Sequence, residues 1–226
     1  MITTQNLGKT FSSDKVDYKA LENVNIEIAD GECLAIMGKS GSGKSTLMHL
    51  LACLDTPTTG EITFDGVNFA SLSEKEKNQL RSEKFGFVFQ QFFLDGNESV
   101  FENVALPLRI RGEVESKIKK RAESALFSVG LAEMGQKRAK ELSGGEKQRV
   151  CIARALIGSP EIIFADEPTG NLDSKTGEII ESLLFDLNRE KQITLIIVTH
   201  DVELAMKCER IIELVDGKVA TDEVKI

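Results

Sequence analysis

Residues 33–51 allow the chain few folds. An apolar run, Cys33-Leu34-Ala35-Ile36-Met37, leads into Gly38-Lys39-Ser40-Gly41-Ser42-Gly43-Lys44-Ser45, and Thr46 then opens a second apolar stretch, Leu47-Met48-His49-Leu50-Leu51. This is strand, glycine loop and helix in the order that G-x-x-x-x-G-K-[ST] requires. Glycines let backbone N–H groups turn inward around a phosphate chain, and the helix places the positive end of its dipole beneath it. Lys44 supplies a point charge for β/γ oxygens and Ser45 a hydroxyl for the magnesium ion that bridges them. The bland alternative is a Gly/Ser-rich surface loop that happens to end in Lys-Ser, but the flanks match those of a nucleoside triphosphate site.

The rest of the chain must fit around this unit. With 226 residues there is room for one large domain, or a core with one added lobe. A net charge of −8 argues against a surface built to neutralise many phosphates, so nucleic acid is not the expected main partner. Cys33, Cys53, Cys151 and Cys208 form no C-x-x-C pair and read as reduced, buried thiols of a cytosolic protein. The N-terminus lacks the charged start and apolar core of a signal peptide, and no apolar run approaches ~18 residues, so a membrane role is expected to come through a partner.

Asp30-Gly31 and Asp65-Gly66 lie between apolar or alternating segments, which predicts two β-hairpins in the opening third. The helix after the glycine loop should stop before Pro57 and Gly60. A charged, solvated helix is expected over 71–84, capped by Ser71 or Ser73. The strand Phe85-Gly86-Phe87-Val88-Phe89 follows and ends in Gln90-Gln91. Half of the twelve phenylalanines lie between residues 85 and 101. They are expected mostly to pack a helical lobe, the alternative being an exposed patch that receives another protein.

Residues 100–158 read as helical, with Gly130, Gly135, Gly158 and Pro160 as stops. The remainder alternates strand and helix, with buried parallel strands at 162–165 and 194–198, a helix over about 175–187, and a closing hairpin turning at Asp216-Gly217. This is α/β architecture with a helical insert.

Two further groups carry chemistry. Asp166-Glu167 ends an apolar strand, where α/β sheets bind ligands. Asp166 would hold magnesium, directly or through water, and Glu167 would take a proton from the attacking water. Leu142-Ser143-Gly144-Gly145-Glu146 contains an S-x-x-E capping box. A cap alone does not call for two successive glycines, whereas a phosphate approaching the backbone at a helix N-terminus does. A second phosphate-binding element beside only one nucleotide site would serve a neighbouring copy.

On these residues the chain resembles, over essentially its whole length, the nucleotide-binding subunits of ATP-binding cassette (ABC) transporters. Leu142 to Glu146 is similar to that family's signature motif, Gly38 to Ser45 to its Walker A and Ile162 to Glu167 to its Walker B. Gln90 matches the Q-loop, Gly170-Asn171-Leu172-Asp173 the D-loop and His200 the switch histidine.

The resemblance implies an α/β phosphate-loop NTPase (RecA-like) core with an N-terminal antiparallel β subdomain, over 1–90 and 154–226, and an inserted helical subdomain over 91–153. It also implies a head-to-tail homodimer, with Mg-ATP between the Walker A of one copy and the signature of the other. In that arrangement Gly38 and Ser40 to Thr46 hold the nucleotide, and Ser143, Gly144 and Gly145 meet the γ-phosphate across the interface. Ser45, Gln90 and Asp166 surround magnesium, Lys44, Glu167, Gln90 and His200 act in catalysis, and Asp173 links the two sites. Adenine would stack on Phe11, with Tyr18 the competitor and a core role for Phe11 the plain alternative. His49 has no matching role and is expected to pack against the sheet.

Leu54 to Gly60, Gly86 to Gln91, Glu102 to Leu108 and Ala165 to Asp173 further resemble the lipoprotein-release, macrolide-exporter and cell-division group. That implies a separate membrane permease, a place at the cytoplasmic face of the membrane, and export or extraction of a lipoprotein, peptide or drug-like molecule. A force-transmitting ATPase of a division or envelope complex that transports nothing is the alternative. Leu94 to Ser99 departs from the group's leucine-proline pair, and its acidic, glycine-containing sequence is expected to be more flexible. Two other classes compete. A soluble ABC ATPase of DNA repair needs a long coiled coil between Gln90 and Leu142, where too few residues lie, and one of translation usually joins two cassettes. A phosphate-loop kinase or GTPase leaves Leu142 to Glu146 without a purpose.

Overall fold

The computed structural model describes residues 1–12 and 17–225. The chain divides into two compact units, Met1–Arg81 with Thr194–Ile226, and Ser82–Ile193.

The first unit begins with β1 (Ile2–Ser12), β2 (Asp17–Val24), β3 (Glu27–Ile28), β4 (Cys33–Met37), α1 (Lys44–Leu51), β5 (Thr59–Phe64), β6 (Val67–Asn68) and most of α2 (Glu74–Lys84), whose last three residues fall in the second. Strand β1 is the spine of an antiparallel sheet and pairs with β2, β3 and β5. Its Ile2, Thr4 and Leu7 point into the core, joined by Ile62 and Phe64 of β5. Asp65 and Gly66 both have positive φ, 49° and 78°, and close the β5–β6 hairpin as expected. Such a pair of left-handed residues matches the twist of two antiparallel strands.

The other expected hairpin does not form. At Asp30-Gly31 only the glycine is left-handed, with φ 76°. The turn carries the chain out of the antiparallel sheet, because β3 pairs with β1 while β4 pairs in parallel with strands from the C-terminal segment. Four of the five β4 residues are buried, which suits a strand covered on both faces. Helix α2 buries no residue and is capped by Ser73, whose N–H and hydroxyl both donate to Glu76 Oε2 at 2.8 and 2.6 Å. Ser71 instead lies in a short 3₁₀ turn.

The second unit contains β7 (Phe85–Phe89), α3 (Val100–Ile110), α4 (Glu115–Ser128), α5 (Gly144–Leu156), β8 (Ile162–Asp166) and α6 (Ser174–Lys191). Strands β7 and β8 pair in parallel, with Phe89 opposite Asp166. The phenylalanine cluster centres on this ladder and not on the helical lobe. Phe85 meets Phe164 edge-on at 5.4 Å, Phe87 stacks on Phe164 at 5.8 Å, and Phe89 stacks on Phe87. Phe93, beyond the strand, touches Phe89 edge-on and is 66% exposed. The ladder wins because β-strand neighbours on one face bring rings within stacking range. Helix α6 runs four residues past its expected end, to Lys191.

The 94–99 segment, expected to be flexible, is tied down. Asp95 N–H donates to the buried Asn103 side chain, which returns a bond to Asp95 O, and Lys140 N–H and Ala139 N–H donate to Gly96 O and Glu98 O.

The chain then returns to the first unit with β9 (Thr194–Val198), α7 (Val202–Ala205), β10 (Arg210–Val215) and β11 (Lys218–Val224). Within that unit β4 lies between β9 and β10, parallel to both, and β11 folds back on β10 through Asp216-Gly217, again with two positive φ angles, 48° and 78°. All five residues of β9 are buried. All four cysteines are free and buried, and burial pushes the Cys151 thiol up to about 11, which leaves it protonated and unreactive.

Helix α5 begins with a complete capping box. Ser143 accepts from Glu146 N–H, while Glu146 Oε2 accepts from the Ser143 N–H at 2.8 Å and its hydroxyl at 2.7 Å. The Ser143 hydroxyl, and then its N–H, hold the Glu146 carboxyl below its ordinary value. A depressed carboxyl contributes stability above its unfolded value and loses it as pH falls through the folded one. Ser143→Ala should therefore destabilise the protein by about 1 kcal/mol at neutral pH. In guanidinium titrations the gap between parent and variant should narrow between neutral pH and a pH below the lowered folded value of Glu146. An equal gap at both pH values would count against the box.

Candidate active site

In the first unit the glycine loop joins β4 to α1. Gly38, Gly41 and Gly43 have φ of 148°, 81° and 102°, backbone regions that side-chain-bearing residues rarely adopt. At Gly38 a Cβ would also lie 2.4 Å from Leu214 O, and at Gly43 2.5 Å from Ala20 O, so the loop is wedged between neighbouring strands. Lys44 bridges it from inside, its Nζ donating to Gly38 O at 2.8 Å and Lys39 O at 3.0 Å. Gly41, Ser40 and Ser45 are exposed, and Thr46 is half-buried in the first turn of α1.

Strand register brings His200 to the same end of the sheet. Ile36 lies opposite Val198 in parallel strands, and Thr199 N–H donates to Ile36 O, so the residues after both strands leave from the C-terminal edge. Ligands of α/β sheets bind at such an edge. Asp201 caps α7 immediately after His200. His49 is half-buried on α1.

Phe11 and Tyr18 are direct partners across β1 and β2, and both are exposed, at 45% and 52%. Lys9 Nζ lies 5.1 Å from the centre of the Phe11 ring. An exposed ring with a cation beside it is not a core residue. Tyr18 differs, because its hydroxyl donates to Gly41 O at 2.9 Å and so braces the glycine loop.

In the second unit the parallel pairing of Phe89 with Asp166 sets Gln90 and Glu167 at adjacent strand ends. Glu167 has φ 46°, a left-handed conformation unusual for a glutamate and of the kind that accumulates at functional positions. Gln90 is tied to the D-loop, because Asn171 Nδ2 donates to Gln90 O at 2.8 Å and Gln90 Nε2 to Asn171 Oδ1 at 3.3 Å. Asp173 caps α6, accepting from the Thr176 hydroxyl at 2.6 Å and its N–H at 3.1 Å, which lower its carboxyl value in that order.

Ser143 stands exposed at the start of α5, followed by Gly144 and Gly145. The structure adds a packing reason for the second glycine. A Cβ on Gly145 would lie 2.3 Å from Thr176 Cγ2, while one on Gly144 would come no closer than 3.4 Å to Leu172. A side chain at Gly145 would thus force Thr176 of α6 to shift, whereas Gly144 is free of that constraint.

Sequence reasoning missed several supports. Gly217, in the last hairpin, donates its N–H to Ser42 O and accepts from Glu22 N–H, so it buttresses the glycine loop from the far end of the chain. Its Asp-Gly turn signal was readable, but the place where the turn lands was not. Asn171 falls within the D-loop match, but its tie to Gln90 was not readable, and the sequence assigns Gln148 no role.

Among the described residues no group of three or more His, Cys, Asp or Glu side chains could hold an ion. In the first unit Ser45 offers a hydroxyl, and in the second Asp166 offers a carboxylate and Gln90 an amide oxygen. Each is a hard oxygen donor of the kind magnesium takes beside waters and substrate phosphates.

The ABC transporter family model matches residues 21–170. The lipoprotein-releasing system ATP-binding protein LolD of Syntrophus aciditrophicus is 46% identical over 98% of this chain and 99% of that protein. An uncharacterized ABC transporter ATP-binding protein of Methanocaldococcus jannaschii is 47% identical over 97% of each. Among solved structures, the ATP-binding cassette MJ0796, described as a dimer in a post-hydrolysis state with ADP and Pi, superposes with a TM-score of 0.89 at 44% identity, over 99% of this chain and 98% of that one. The cbiO1 protein of Clostridium perfringens, described as part of the transporter complex cbiONQ, superposes at 0.88 with 31% identity, over 99% of this chain and 88% of that one. A phosphate-loop core, an antiparallel β subdomain and a helical subdomain are the fold of these cassettes. The chain belongs to the ABC transporter family, as an ATP-binding, ATP-hydrolysing subunit.

Proposed function

We propose that the chain works as a head-to-tail homodimer that hydrolyses Mg-ATP at the cytoplasmic face of a membrane, driving a separate permease that extracts or exports a lipoprotein, peptide or drug-like molecule. The single observation that carries this reading is the start of α5. Its capped N-terminus presents exposed Ser143 and a Gly144 that packing leaves unconstrained, in a chain that already owns a phosphate loop. A helix N-terminus opened by glycine suits a phosphate, and the neighbour's nucleotide is the phosphate it would meet. The names of the solved cassette, a dimer, and of the LolD relative, a lipoprotein-releasing protein, support the oligomer and the cargo class. No helix among the described residues is long and apolar enough to cross a membrane, and this reading assigns the membrane passage to a separate permease.

The residues take these roles. Backbone amides of Gly38 and of 40–46 wrap the β- and γ-phosphates, and Lys44 exchanges its two loop carbonyls for phosphate oxygens. Phe11 offers its exposed face to adenine, with Tyr18 bracing the loop beneath. Ser45, Asp166 and Gln90 hold magnesium, which when bound neutralises charge on the phosphates. Glu167 accepts the proton of the attacking water, and His200 orients that water against the γ-phosphate. Ser143, Gly144 and Gly145 of the partner copy complete the site, and Asp173 links one site to the other. Residues 91–153 form the helical signature subdomain that carries Ser143, and 1–90 with 154–226 the catalytic core.

Glu167→Gln is expected to leave ATP affinity intact and slow hydrolysis by ~10²-fold or more, the scale of losing a general base. Steady-state phosphate release at the parental rate would remove Glu167 from that role. The division of labour between copies has its own test. Ser143→Arg alone and Lys44→Ala alone should both be inactive, while a mixture should regain at most one working site per dimer. Full activity of Ser143→Arg by itself would contradict a shared site.

A further inference from the structure

Helix α5 lies against β7 so closely that a Cβ on Gly86 would sit 2.9 Å from Ala155 O. That approach turns one face of the helix toward the backbone that leaves β7. Gln148, Cys151 and Arg154, spaced three apart, all donate to it. Gln148 Nε2 reaches Phe89 O at 3.3 Å, Cys151 Sγ reaches Phe92 O at 3.1 Å, and Arg154 reaches Phe92 O and Phe93 O at 2.9 and 2.7 Å. Gln148 alone goes further, with a second bond of 2.7 Å from its amide nitrogen to Pro168 O. Both acceptors are carbonyls, which fixes the amide orientation. Phe89 precedes Gln90 and Pro168 follows Glu167.

We propose that Gln148 is a positioning residue for ATP hydrolysis, its buried amide tying the helix that Ser143 begins to the two backbone segments carrying Gln90 and Glu167. The inference rests on the roles given above to those two residues. Three features separate it from ordinary core packing. Gln148 is 1% exposed, and its Oε1 is buried without a hydrogen-bond partner among the described residues. An orphaned acceptor is costly, and an apolar side chain of the same length would avoid it. Its grip on Pro168 lies one residue beyond the left-handed Glu167, a conformation that persists only where neighbours over-determine it. Finally, Gln148 lies on the helix whose first residues would meet the partner's nucleotide. Closure of the dimer therefore has a rigid path to the carboxylate of the same chain.

The test uses full-length Gln148→Met and Gln148→Glu, each also combined with Glu167→Gln, with phosphate release, nucleotide affinity and thermal melting measured on all of them. Gln148→Met keeps the length and loses both donors. It should lower kcat by about tenfold or more while KM and ATP affinity stay within about twofold, the split expected when alignment but not binding is lost. Added to Glu167→Gln, it should cost nothing further, because both act on one step.

Gln148→Glu adds a readout that a purely structural role would not move. A buried carboxyl facing two carbonyls titrates high and regains one donor when protonated. Its kcat relative to the parent should rise as pH falls from about 8 to about 6.

Parental kcat in Gln148→Met beside an inactive Glu167→Gln would overturn the inference alone. So would a kcat loss matched by lost ATP affinity or melting temperature, or the same fold-loss in the Glu167→Gln background. An active Glu167→Gln beside a slow Gln148→Met would instead overturn the general-base role while keeping Gln148 as a positioning residue for Gln90.

Discussion

The backbone of the glycine loop is the constraint on which the nucleotide chemistry depends. Three left-handed glycines between β4 and α1 turn peptide groups in a direction that residues with a Cβ resist, and two of them have strand carbonyls pressed against the space a Cβ would fill. The loop is therefore held in shape by the fold before any phosphate arrives. Its supports come from distant parts of the chain: Tyr18 on the antiparallel sheet, Gly217 in the last hairpin, and Lys44 across the loop. A preformed cradle stabilises developing charge without reorganising, which is how electrostatic catalysis gains most.

The second unit is organised by the same logic, applied to positioning. Parallel pairing of β7 with β8 aligns Gln90 and Glu167, Asn171 ties Gln90 to the D-loop, and one face of α5 binds the backbone that leaves β7, with Gln148 also reaching Pro168 O. The capping box fixes where α5 begins, and so fixes Ser143. A capped helix start that opens on Gly144 suits a phosphate, which is the physical ground for the shared-site proposal.

The motif residues were legible because each obeys a local rule. Gly38 to Ser45 sits between a strand and a helix, Ser143 and Glu146 satisfy a cap, and Asp166 ends an apolar strand. The Asp-Gly hairpins at 65 and 216 were equally plain. Asp30-Gly31 misled because the same dipeptide serves two turns, and only the buried, parallel pairing of β4 decides between them. The phenylalanines misled because spacing beyond Gln91 hides that Phe164, far along the chain, is the partner of Phe85 and Phe87. From the sequence Gly145 reads as a phosphate contact, whereas its close approach to Thr176 is a long-range packing contact that no local pattern encodes. Gln148 and Gly217 were invisible for the same reason, since their meaning lies in which carbonyl or amide they reach.

Sedimentation velocity on Glu167→Gln saturated with Mg-ATP tests the shared site most directly. If each copy completes the other, the protein sediments as a dimer with nucleotide bound and returns to monomer when ATP is removed. A species that binds Mg-ATP fully yet remains monomeric would contradict the shared site.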